Sequence, residues 1–405
     1  MKKNVLAGQS GGPTAAINAS LYGVLEEGTR RSGQMGQVYG MCNGIEGFLK
    51  DSIVSLSETL SPRQREILRV TPGAYLGSCR YQLPADLSDP VYPAIFEKLE
   101  ALSVGYFCYI GGNDSMDTVS KLSAYGSRLG SSIRFVGIPK TIDNDLVCTD
   151  HTPGYGSAAK YVASSVREIG LDCAVYRQPA VTIVEIMGRH AGWLTAAGAL
   201  ARKYPGDNPM LICLPEQVFD LEAFGRRLEQ ALQKRPDVVV CVSEGIADAE
   251  GRFLCEYGSD AGVDTFGHKM LAGCGKVLEQ FVRSRFGIKA RSVELNICQR
   301  CSGLAASRTD LEEAALAGSF GLSQALEGVT EAMAAFQRTG SSPYEIRCTM
   351  EDVSRICNQE KKFPAEWITD GGMDVAGAFL SYALPLIQGE VQRPMENGLP
   401  LYLYR

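Results

Sequence analysis

The sequence predicts an α/β protein built of two three-layer domains with mostly parallel sheets. Short runs rich in β-branched and aromatic residues alternate with stretches of helical spacing, and a glycine-bearing turn separates many of them. Such alternation is typical of parallel strands whose connecting helices cover both faces of the sheet. The 405 residues, of which 45% are hydrophobic, suffice for two packed cores. Ligands of such folds bind at the carboxyl ends of the strands, where the motifs below fall.

The first strand–helix unit lies near the N-terminus. The run NVLA leads through the turn GQSGGPT into a helical pattern with one apolar face. That face comprises Ile17, Leu21, Val24 and Leu25. Consecutive backbone N–H groups in such a glycine turn can bind a phosphate oxygen. The turn also matches G-x-S-x-G, so a hydrolase nucleophile at Ser10 and a purely structural turn remain alternatives.

The second unit carries an acid where an anion is expected. The run YFCYI ends in two glycines, and Asn113 and Asp114 follow them directly at the start of a helical pattern. Glycine pairs after a strand commonly hold a phosphate. A carboxylate at 114 is therefore unexpected in a loop of this shape.

The third unit ends in PKTIDND, the segment richest in candidate catalytic groups. The run IRFVGI leads into it, and Pro139 disfavours a helical entry. If the segment is extended, Thr141, Asp143 and Asp145 face the same way. Two neighbouring carboxylates must share a proton, hold a divalent cation or meet a cation such as Lys140. A solvated loop rich in turn formers is the alternative interpretation.

Further units place charged side chains at comparable positions. The run AVTIVEIM leads to Arg189 and a helical pattern AGWLTAAGALA, and DVVVCV leads to Glu244. Arg80 in YLGSCR and Arg300 in NICQR also follow apolar residues. Each arginine could be an ordinary surface cation, and Glu244 could cap the following turn. Together with Lys140, however, these arginines suit a protein that binds doubly charged phosphates.

Composition disfavours several other classes of protein. A net charge of −6 predicts no nucleic-acid partner and no anionic membrane surface. The sequence has no Walker phosphate loop, no 18-residue apolar stretch and no signal-peptide core, and GYGSAA lacks the preceding strand of a dinucleotide site. The thirteen cysteines indicate thiols in a reducing cytoplasm. We interpret Cys298 and Cys301, spaced C-x-x-C, as packing residues rather than a metal or redox pair.

These motifs resemble the phosphofructokinase family over most of residues 1–310. They are GGP with a nearby asparagine, GSCR, GGND, PKTIDND, VEIMGR and QR at 299–300, in order and with compatible spacing. The chain is similar to the pyrophosphate-dependent branch, including FPAEWI near the C-terminus. The resemblance implies an active site in the cleft between the two domains. Residues 1–154 plus about 300–360 would bind the phosphoryl donor, 155–299 would bind fructose 6-phosphate, and 361–405 would be a C-terminal extension packed on the body.

The resemblance also implies the chemistry and its residues. The reaction would be a Mg²⁺-dependent, reversible phosphoryl transfer from pyrophosphate to O1 of fructose 6-phosphate in glycolysis. Asp143 would be the base, assisted by Lys140, Asp114 and Arg189. The implied donor site comprises Gly12, Arg80, Asn113, Asp114 and Lys140, with Asn113 and Asp114 as candidate metal ligands. The implied sugar phosphate site comprises Thr141, Ile142, Asp143, Asp145, Met187, Gly188, Arg189, Glu244, Arg291 and Arg300, and one or both of the last two would reach the 6-phosphate across a subunit interface.

The same resemblance explains the acid at 114. Relatives that use ATP have a glycine where this chain has Asp114 and a small residue where it has Lys140. The aspartate would lie in the path of the α-phosphate of ATP, excluding that donor by volume and by like charge. Lys140 would supply the cation that pyrophosphate needs. An ATP-dependent sugar-phosphate kinase remains the alternative, whereas a non-catalytic regulatory subunit is disfavoured because Asp143, Lys140 and Arg189 are present.

Three positions depart from the family pattern. Asn113 replaces a Mg²⁺-binding aspartate, Ile297 replaces a histidine or tyrosine, and Ala180 replaces an arginine of the neighbouring subunit. The site for the 6-phosphate would then be completed differently, with Arg177 or Lys269 as candidates. We expect a cytoplasmic homodimer or homotetramer with active sites near the subunit interfaces.

Overall fold

Two large sheets organise the residues that the computed structural model describes, 2–257 and 273–405. The strands are β1 Asn4–Gln9, β2 Val38–Met41, β3 Ile53–Ser55, β4 Val104–Gly111, β5 Arg134–Pro139, β6 Ala180–Ile186, β7 Leu211–Cys213, β8 Asp237–Ser243, β9 Lys289–Glu294, β10 Ala332–Ser341, β11 Tyr344–Asp352, β12 Ile368–Thr369, β13 Asp374–Val375, β14 Met395–Glu396 and β15 Leu399–Pro400.

Helices connect most of these strands. The α-helices are α1 Ile17–Arg30, α2 Gly44–Leu49, α3 Leu56–Thr59, α4 Pro62–Val70, α5 Val91–Ala101, α6 Asn113–Arg128, α7 Tyr155–Cys173, α8 Trp193–Ala196, α9 Leu221–Lys234, α10 Cys274–Phe286, α11 Asn296–Cys301, α12 Arg308–Leu326 and α13 Gly377–Ala383. Short 3₁₀ turns span Ala197–Ala201, Leu254–Tyr257, Val353–Arg355, Ala365–Trp367, Asp370–Gly372 and Leu384–Ile387. No helix in the described ranges is long and apolar enough to cross a membrane.

The sheets confirm the predicted α/β class with mostly parallel strands. The larger sheet has the order β11-β10-β5-β4-β1-β2-β3, and only its edge strands β3 and β11 are antiparallel to their neighbours. The smaller sheet, β7-β8-β6-β9, is parallel throughout. The carboxyl ends of β1, β4 and β5 therefore meet at one edge of the larger sheet, which brings their following loops together.

Alternating side chains bury both faces of the larger sheet. Leu6 of β1 packs in a cluster with residues of α5 and α6, whereas Val5 and Ala7 pack on the opposite face with α1 and α12. The predicted apolar face of α1 is confirmed, because Ile17, Leu21, Val24 and Leu25 are all buried. A Cβ atom on Gly23 of α1 would lie 2.0 Å from the carbonyl oxygen of Ala315, so glycine there allows α1 and α12 to approach closely.

One predicted helix is shorter than its sequence pattern suggested. The segment AGWLTAAGALA forms α8 at Trp193–Ala196 and then tightens into a 3₁₀ turn at Ala197–Ala201. Every residue of both pieces is buried. Packing of these small side chains against the core therefore overrides the helix propensity of alanine.

The C-terminal residues cover the smaller sheet and α7. Phe363, Phe379 and Leu386 belong to the same buried cluster as Tyr155 of α7 and Trp193. Trp193 makes edge contacts with Phe363 and Trp367, with ring centroids 5.1 and 6.0 Å apart. These aromatic contacts attach the segment after β11 to α8, which follows β6.

Candidate active site

A cavity of about 450 Å³ lies where loops from both sheets meet. The predicted residues that line it are Gly12, Arg80, Asp114, Lys140, Thr141, Ile142, Asp143, Met187, Arg189, Glu244 and Arg300. The predicted residues outside its lining are Asn113, Asp145, Gly188 and Arg291. Residues separated by up to 288 positions thus converge on one polar site, and most of them follow the carboxyl end of a strand.

Sequence reasoning missed three lining residues, Pro13, Thr14 and His190. All three are sequence neighbours of predicted ones, so adjacency to Gly12 and Arg189 was the available signal. Thr14 also begins α1 structurally, since its hydroxyl accepts hydrogen bonds from the N–H groups of Ala16 and Ile17 at 3.3 and 3.0 Å.

The first glycine turn is held from beneath by side-chain and backbone hydrogen bonds. Ser78 Oγ donates to the carbonyl oxygen of Gly11 at 2.5 Å, and the Gly11 N–H donates to the carbonyl oxygen of Cys79 at 3.2 Å. Gly11 has a φ of +75°, a conformation that favours glycine. The Ser10 hydroxyl donates to the Cys79 carbonyl oxygen at 3.3 Å and does not line the cavity. The hydrolase interpretation of Ser10 therefore receives no support from this geometry.

The loop after β4 presents Asp114 but turns Asn113 away. Asp114 lies in the first turn of α6 and lines the cavity. The Asn113 side-chain N–H₂ donates to the carbonyl oxygen of Gln359 at 2.8 Å. Its Oδ1 atom is buried and has no hydrogen-bond partner among the described residues. Of the two predicted metal ligands, Asp114 is the one whose side chain borders the cavity.

Lys140 is a buried cation between the two glycine turns. It is only 2% exposed, and its backbone N–H donates to the carbonyl oxygen of Gly111 at 2.9 Å. Its Nζ donates to the carbonyl oxygen of Gly12 at 2.7 Å. Burial lowers the pKa of Lys140 to about 8, an effect that Asp143 opposes. The lysine is thus fixed beside the glycine turn that was predicted to hold phosphate.

The segment after Lys140 folds as a turn, so the extended form that would make Thr141, Asp143 and Asp145 face the same way is not adopted. The Asp143 N–H donates to Thr141 Oγ1 at 3.1 Å, and Asn144 has a φ of +55°. Local side-chain bonds of this kind compete with extended structure. Thr141 and Asp143 consequently line the cavity, whereas Asp145 does not.

Asp143 is a partly buried carboxylate surrounded by charges. Burial raises its pKa above the ordinary aspartate value, and Glu244 raises it further, whereas Lys140 and the Thr141 hydroxyl oppose the shift. The pKa of Asp145 is also raised, first by burial and then by Asp143. A carboxylate with a raised pKa is a stronger proton acceptor than one in water.

Glu244 and Gly188 shape the wall formed by the smaller sheet. The Gly188 N–H donates to Glu244 Oε1 at 3.4 Å, and the Ser243 hydroxyl donates to the Gly188 carbonyl oxygen at 2.6 Å. Gly188 has a φ of +128°, and a Cβ there would lie 2.6 Å from the carbonyl oxygen of Ala191. Burial raises the pKa of Glu244. Gly188 therefore acts through the backbone, which places its neighbours Met187 and Arg189 on the cavity.

Two predicted phosphate-binding arginines differ in position. Arg300 lines the cavity, and its Nε is buried without a hydrogen-bond partner in the part of the chain that the structure describes. Arg291 on β9 instead lies 3.6 Å from Asp172 in an exposed ion pair. Arg177 is exposed and does not line the cavity, and Lys269 lies outside the described residues. The role of Arg291 across a subunit interface stays a prediction.

A second cavity of about 450 Å³ adjoins the first on the glycine-turn side. Gly12, Pro13, Arg80 and Arg300 line both, and Glu46 and Tyr81 line only the second. The two arginines therefore border the passage between the cavities, where an elongated anion could contact both.

The remaining candidate groups are the cysteine thiols and the side chains that could bind a metal ion. Within the described ranges, none of the thirteen cysteines, including Cys298 and Cys301, forms a disulfide. No group of three or more His, Cys, Asp or Glu side chains in the described ranges is arranged to hold a metal ion by itself.

Comparisons with known proteins identify the family of this chain. The Phosphofructokinase family model matches residues 4–294. A Methylococcus capsulatus protein named pyrophosphate–fructose 6-phosphate 1-phosphotransferase is 40% identical over 404 residues, which cover 99% of this chain and 95% of its own length. The structure of a pyrophosphate-dependent phosphofructokinase from Nitrosospira multiformis has a TM-score of 0.91 at 35% identity and covers 100% of this chain and 96% of its own. A second such structure, from Marinobacter aquaeolei, has a TM-score of 0.88 at 37% identity and covers 99% and 95%.

Proposed function

The chain belongs to the phosphofructokinase family, and on this premise we propose that it transfers a phosphoryl group from pyrophosphate to O1 of fructose 6-phosphate. The products are fructose 1,6-bisphosphate and phosphate, and the reaction is a reversible step of glycolysis. The observation that carries this function is the presence of Asp114, Lys140 and Asp143 around one cavity. The names of the relatives that match nearly the whole chain support pyrophosphate as the donor.

Asp143 is the base for the acceptor hydroxyl in this proposal. Its burial favours the protonated carboxyl group and so raises its pKa. Proton transfer from the O1 hydroxyl to Asp143 is therefore easier than transfer to an aspartate in water. Arg189, Met187 and Glu244 form the adjacent wall, where the sugar phosphate binds. Thr141 holds the turn that points Asp143 into the cavity. Gly188 and Asp145 do not line the cavity and contribute to the sugar phosphate site through the neighbouring residues that do.

The donor occupies the side of the cavity next to the first glycine turn. Lys140, Arg80 and Arg300 supply positive charge there, and Gly12 allows the close approach of a phosphate. Phosphoryl transfer depends mainly on positioning and on neutralising charge, which these fixed cations provide. Asp114 excludes ATP, because a longer polyphosphate would run against its carboxylate.

Mg²⁺ is the proposed cofactor, and the residues present fit it. This ion is commonly bound by one or two carboxylates plus phosphate oxygens, so Asp114 together with pyrophosphate supplies a suitable set. When bound, Mg²⁺ neutralises charge on the donor phosphates. The protein's own contribution is to hold Asp114 and Lys140 at fixed positions beside the donor.

Domain roles, assembly and location follow from the same proposal. Residues 1–154 plus about 300–360 bind the donor, 155–299 bind the sugar phosphate, and 361–405 form the C-terminal extension. Arg291, exposed on the edge strand β9, is available to a neighbouring subunit in a homodimer or homotetramer. Cysteine side chains that form no disulfide in the described ranges support a reducing, cytoplasmic environment.

The test is a direct comparison of donors. Initial rates with fructose 6-phosphate and Mg²⁺ should be high with pyrophosphate and low with ATP at matched concentrations. Turnover with ATP alone would replace this proposal by an ATP-dependent kinase. Turnover with neither donor would indicate a non-catalytic protein.

A further inference from the structure

Residues 359–363, which we call the strap, contact the loops on both sides of the cavity. The strap lies between the 3₁₀ turns Val353–Arg355 and Ala365–Trp367. None of its five residues, all of them described, lines the cavity. Its contacts therefore act on the site through the loops that carry the lining residues.

The first contact reaches the donor loop. The Asn113 side-chain N–H₂ donates to the backbone carbonyl oxygen of Gln359 at 2.8 Å, across 246 residues of sequence. Asn113 opens α6 and directly precedes Asp114. Because a carbonyl oxygen can only accept, an amide at 113 can make this bond and an ionised carboxylate cannot. The Asn113 Oδ1, in contrast, is buried and lacks a hydrogen-bond partner among the described residues.

The second contact reaches the loop that carries the proposed base. The Lys361 backbone N–H donates to the carbonyl oxygen of Asp145 at 2.7 Å. The Lys361 Nζ donates to the carbonyl oxygens of Thr149 and Asp150 at 3.1 and 2.9 Å. One residue of the strap therefore binds the loop after Asp143 at both of its ends.

The remaining contacts reach the sugar side. Lys362 Nζ donates to the carbonyl oxygen of His190 at 2.7 Å. The Phe363 N–H donates to Glu216 Oε1 at 2.9 Å, and the Gly192 N–H donates to the same atom at 2.9 Å. The strap is thus joined to both ends of the loop 190–192, which directly follows Arg189.

We propose that the strap is a positioning element that holds the donor loop in register with the two acceptor loops, and that Asn113 is the positioning residue that joins the donor loop to it. This inference rests on the proposed function. The transferring phosphoryl group must lie in line between Asp114 and Lys140 on one side and Asp143 on the other. A displacement of about 1 Å in such a geometry costs on the order of a hundredfold in rate. Asn113 then contributes through the Gln359 carbonyl oxygen and not as a metal ligand.

The test is the substitution Asn113→Asp. It removes the donor to Gln359 and sets a carboxylate against that carbonyl oxygen, so kcat should fall roughly tenfold to a hundredfold. The KM values and the Mg²⁺ concentration for half-activation should change little. If Asn113 were instead a metal ligand, the added carboxylate would lower that Mg²⁺ concentration while kcat was retained, and this result would overturn the proposal.

A matched control and a second readout separate positioning from general damage. Gln359→Ala removes an exposed side chain but keeps the backbone carbonyl oxygen that accepts the bond. Its kcat should therefore stay within about twofold of the parent value, a smaller change than the loss of a positioning contact causes. Hydrogen exchange at the amides of Lys361 and Phe363 should quicken in Asn113→Asp and not in Gln359→Ala. This measurement needs no substrate. Unchanged exchange would refute the Asn113 contact, whereas failure of the parent to use pyrophosphate would refute the proposed function.

A second variant covers the case in which Asn113→Asp does not fold. Lys362→Met breaks the contact with the His190 carbonyl oxygen at a side chain that is 51% exposed. It should lower kcat several-fold and leave the thermal unfolding midpoint nearly unchanged. A kcat equal to that of the parent would overturn the role of the strap.

Discussion

The ammonium group of Lys140 donates a hydrogen bond of 2.7 Å to the carbonyl oxygen of Gly12, 128 residues earlier in the chain. The contact forms because β4 lies between β1 and β5 in one parallel sheet, so the turn after β1 and the end of β5 flank the end of β4 at the same edge. Burial lowers the pKa of Lys140 to about 8, which still leaves the side chain mostly charged at neutral pH. The cation that pyrophosphate needs is therefore in place before the substrate binds.

The proposed base gives the first prediction. Asp143→Asn keeps the shape of the side chain and removes proton acceptance, so kcat should fall by roughly two to four orders of magnitude. Steady-state rates with pyrophosphate, together with circular dichroism to confirm folding, measure this. Asp117→Asn is the matched control, because that carboxylate is paired with Lys121 at 2.6 Å and lies outside the cavity. An equal loss in both variants would place the base elsewhere.

Metal dependence gives the second prediction. Activity should vanish in excess chelator and return with Mg²⁺, because two phosphate-bearing substrates repel one another when their charge is not neutralised. Asp114→Asn should raise the Mg²⁺ concentration required. Asp117→Asn on the same helix should not, since that carboxylate is paired with Lys121 at 2.6 Å and lies outside the cavity. Full activity in chelator would rule out the proposed cofactor.

A buried histidine gives the third prediction. His151 is 1% exposed, its Nδ1 lies 2.8 Å from Asp150 Oδ1, and its Nε2 lies 2.6 Å from Glu313 Oε2. Burial opposes the charge, but Glu313 and Asp150 outweigh it and raise the pKa of His151 to about 9. A histidine in the unfolded chain has a pKa of about 6.5. The folded state is therefore fully stabilised by this charge below about pH 6.5, and the stabilisation is lost as the pH rises through about 9.

The substitution His151→Gln measures this contribution. Removing one member of a buried ion network costs about 3 to 5 kcal/mol, so the thermal midpoint at pH 6 should fall clearly below that of the parent. The difference between the two proteins should narrow by pH 10, where the parent histidine is neutral. Comparing the two proteins cancels groups that titrate in both, including Lys140 and Lys361. A difference that stays constant from pH 6 to pH 10 would contradict the assignment.

Sequence patterns predicted the features that depend on residues close together in the chain. The apolar face of α1 and the strand ends that carry Asp114, Lys140 and Arg189 follow from periodicity and from the positions of glycines. Since parallel strands end at a common edge, residues after them could be expected to meet there. The cavity therefore contains most of the side chains that the motifs indicated.

The features that the patterns did not predict depend on a side-chain hydrogen bond that competes with extended structure, or on a hydrogen bond between residues far apart in the chain. The turn at 141–144 forms because the Thr141 hydroxyl accepts the Asp143 N–H, which alternation of polar residues does not reveal. The bond from Asn113 to Gln359 ends on a backbone carbonyl oxygen. Every residue has such an oxygen, so no side-chain pattern marks the one that is used.

Donor choice gives the last prediction, and it starts from the different positions of Asp114 and Lys140. Asp114 is in the first turn of α6, whereas Lys140 is bound to Gly12 beneath the donor site. If Asp114 bars the α-phosphate of ATP, Asp114→Gly should admit ATP. Removal of Lys140 should chiefly harm the pyrophosphate reaction, because the small donor has few other contacts. Each residue therefore acts on a different donor.

The double variant Asp114→Gly with Lys140→Gly should invert the ratio of kcat/KM for ATP to that for pyrophosphate. Losing one charge-assisted contact to a transferring phosphoryl group costs about 2 to 4 kcal/mol, hence roughly 30-fold to 1000-fold in the pyrophosphate rate. Loss of Lys140 also frees the Gly12 carbonyl oxygen, so both absolute rates are expected to be low. The ratio is the informative quantity, because general damage to the site lowers both rates together. The explanation fails if the parent already prefers ATP, or if the folded double variant still binds fructose 6-phosphate and keeps the parental ratio.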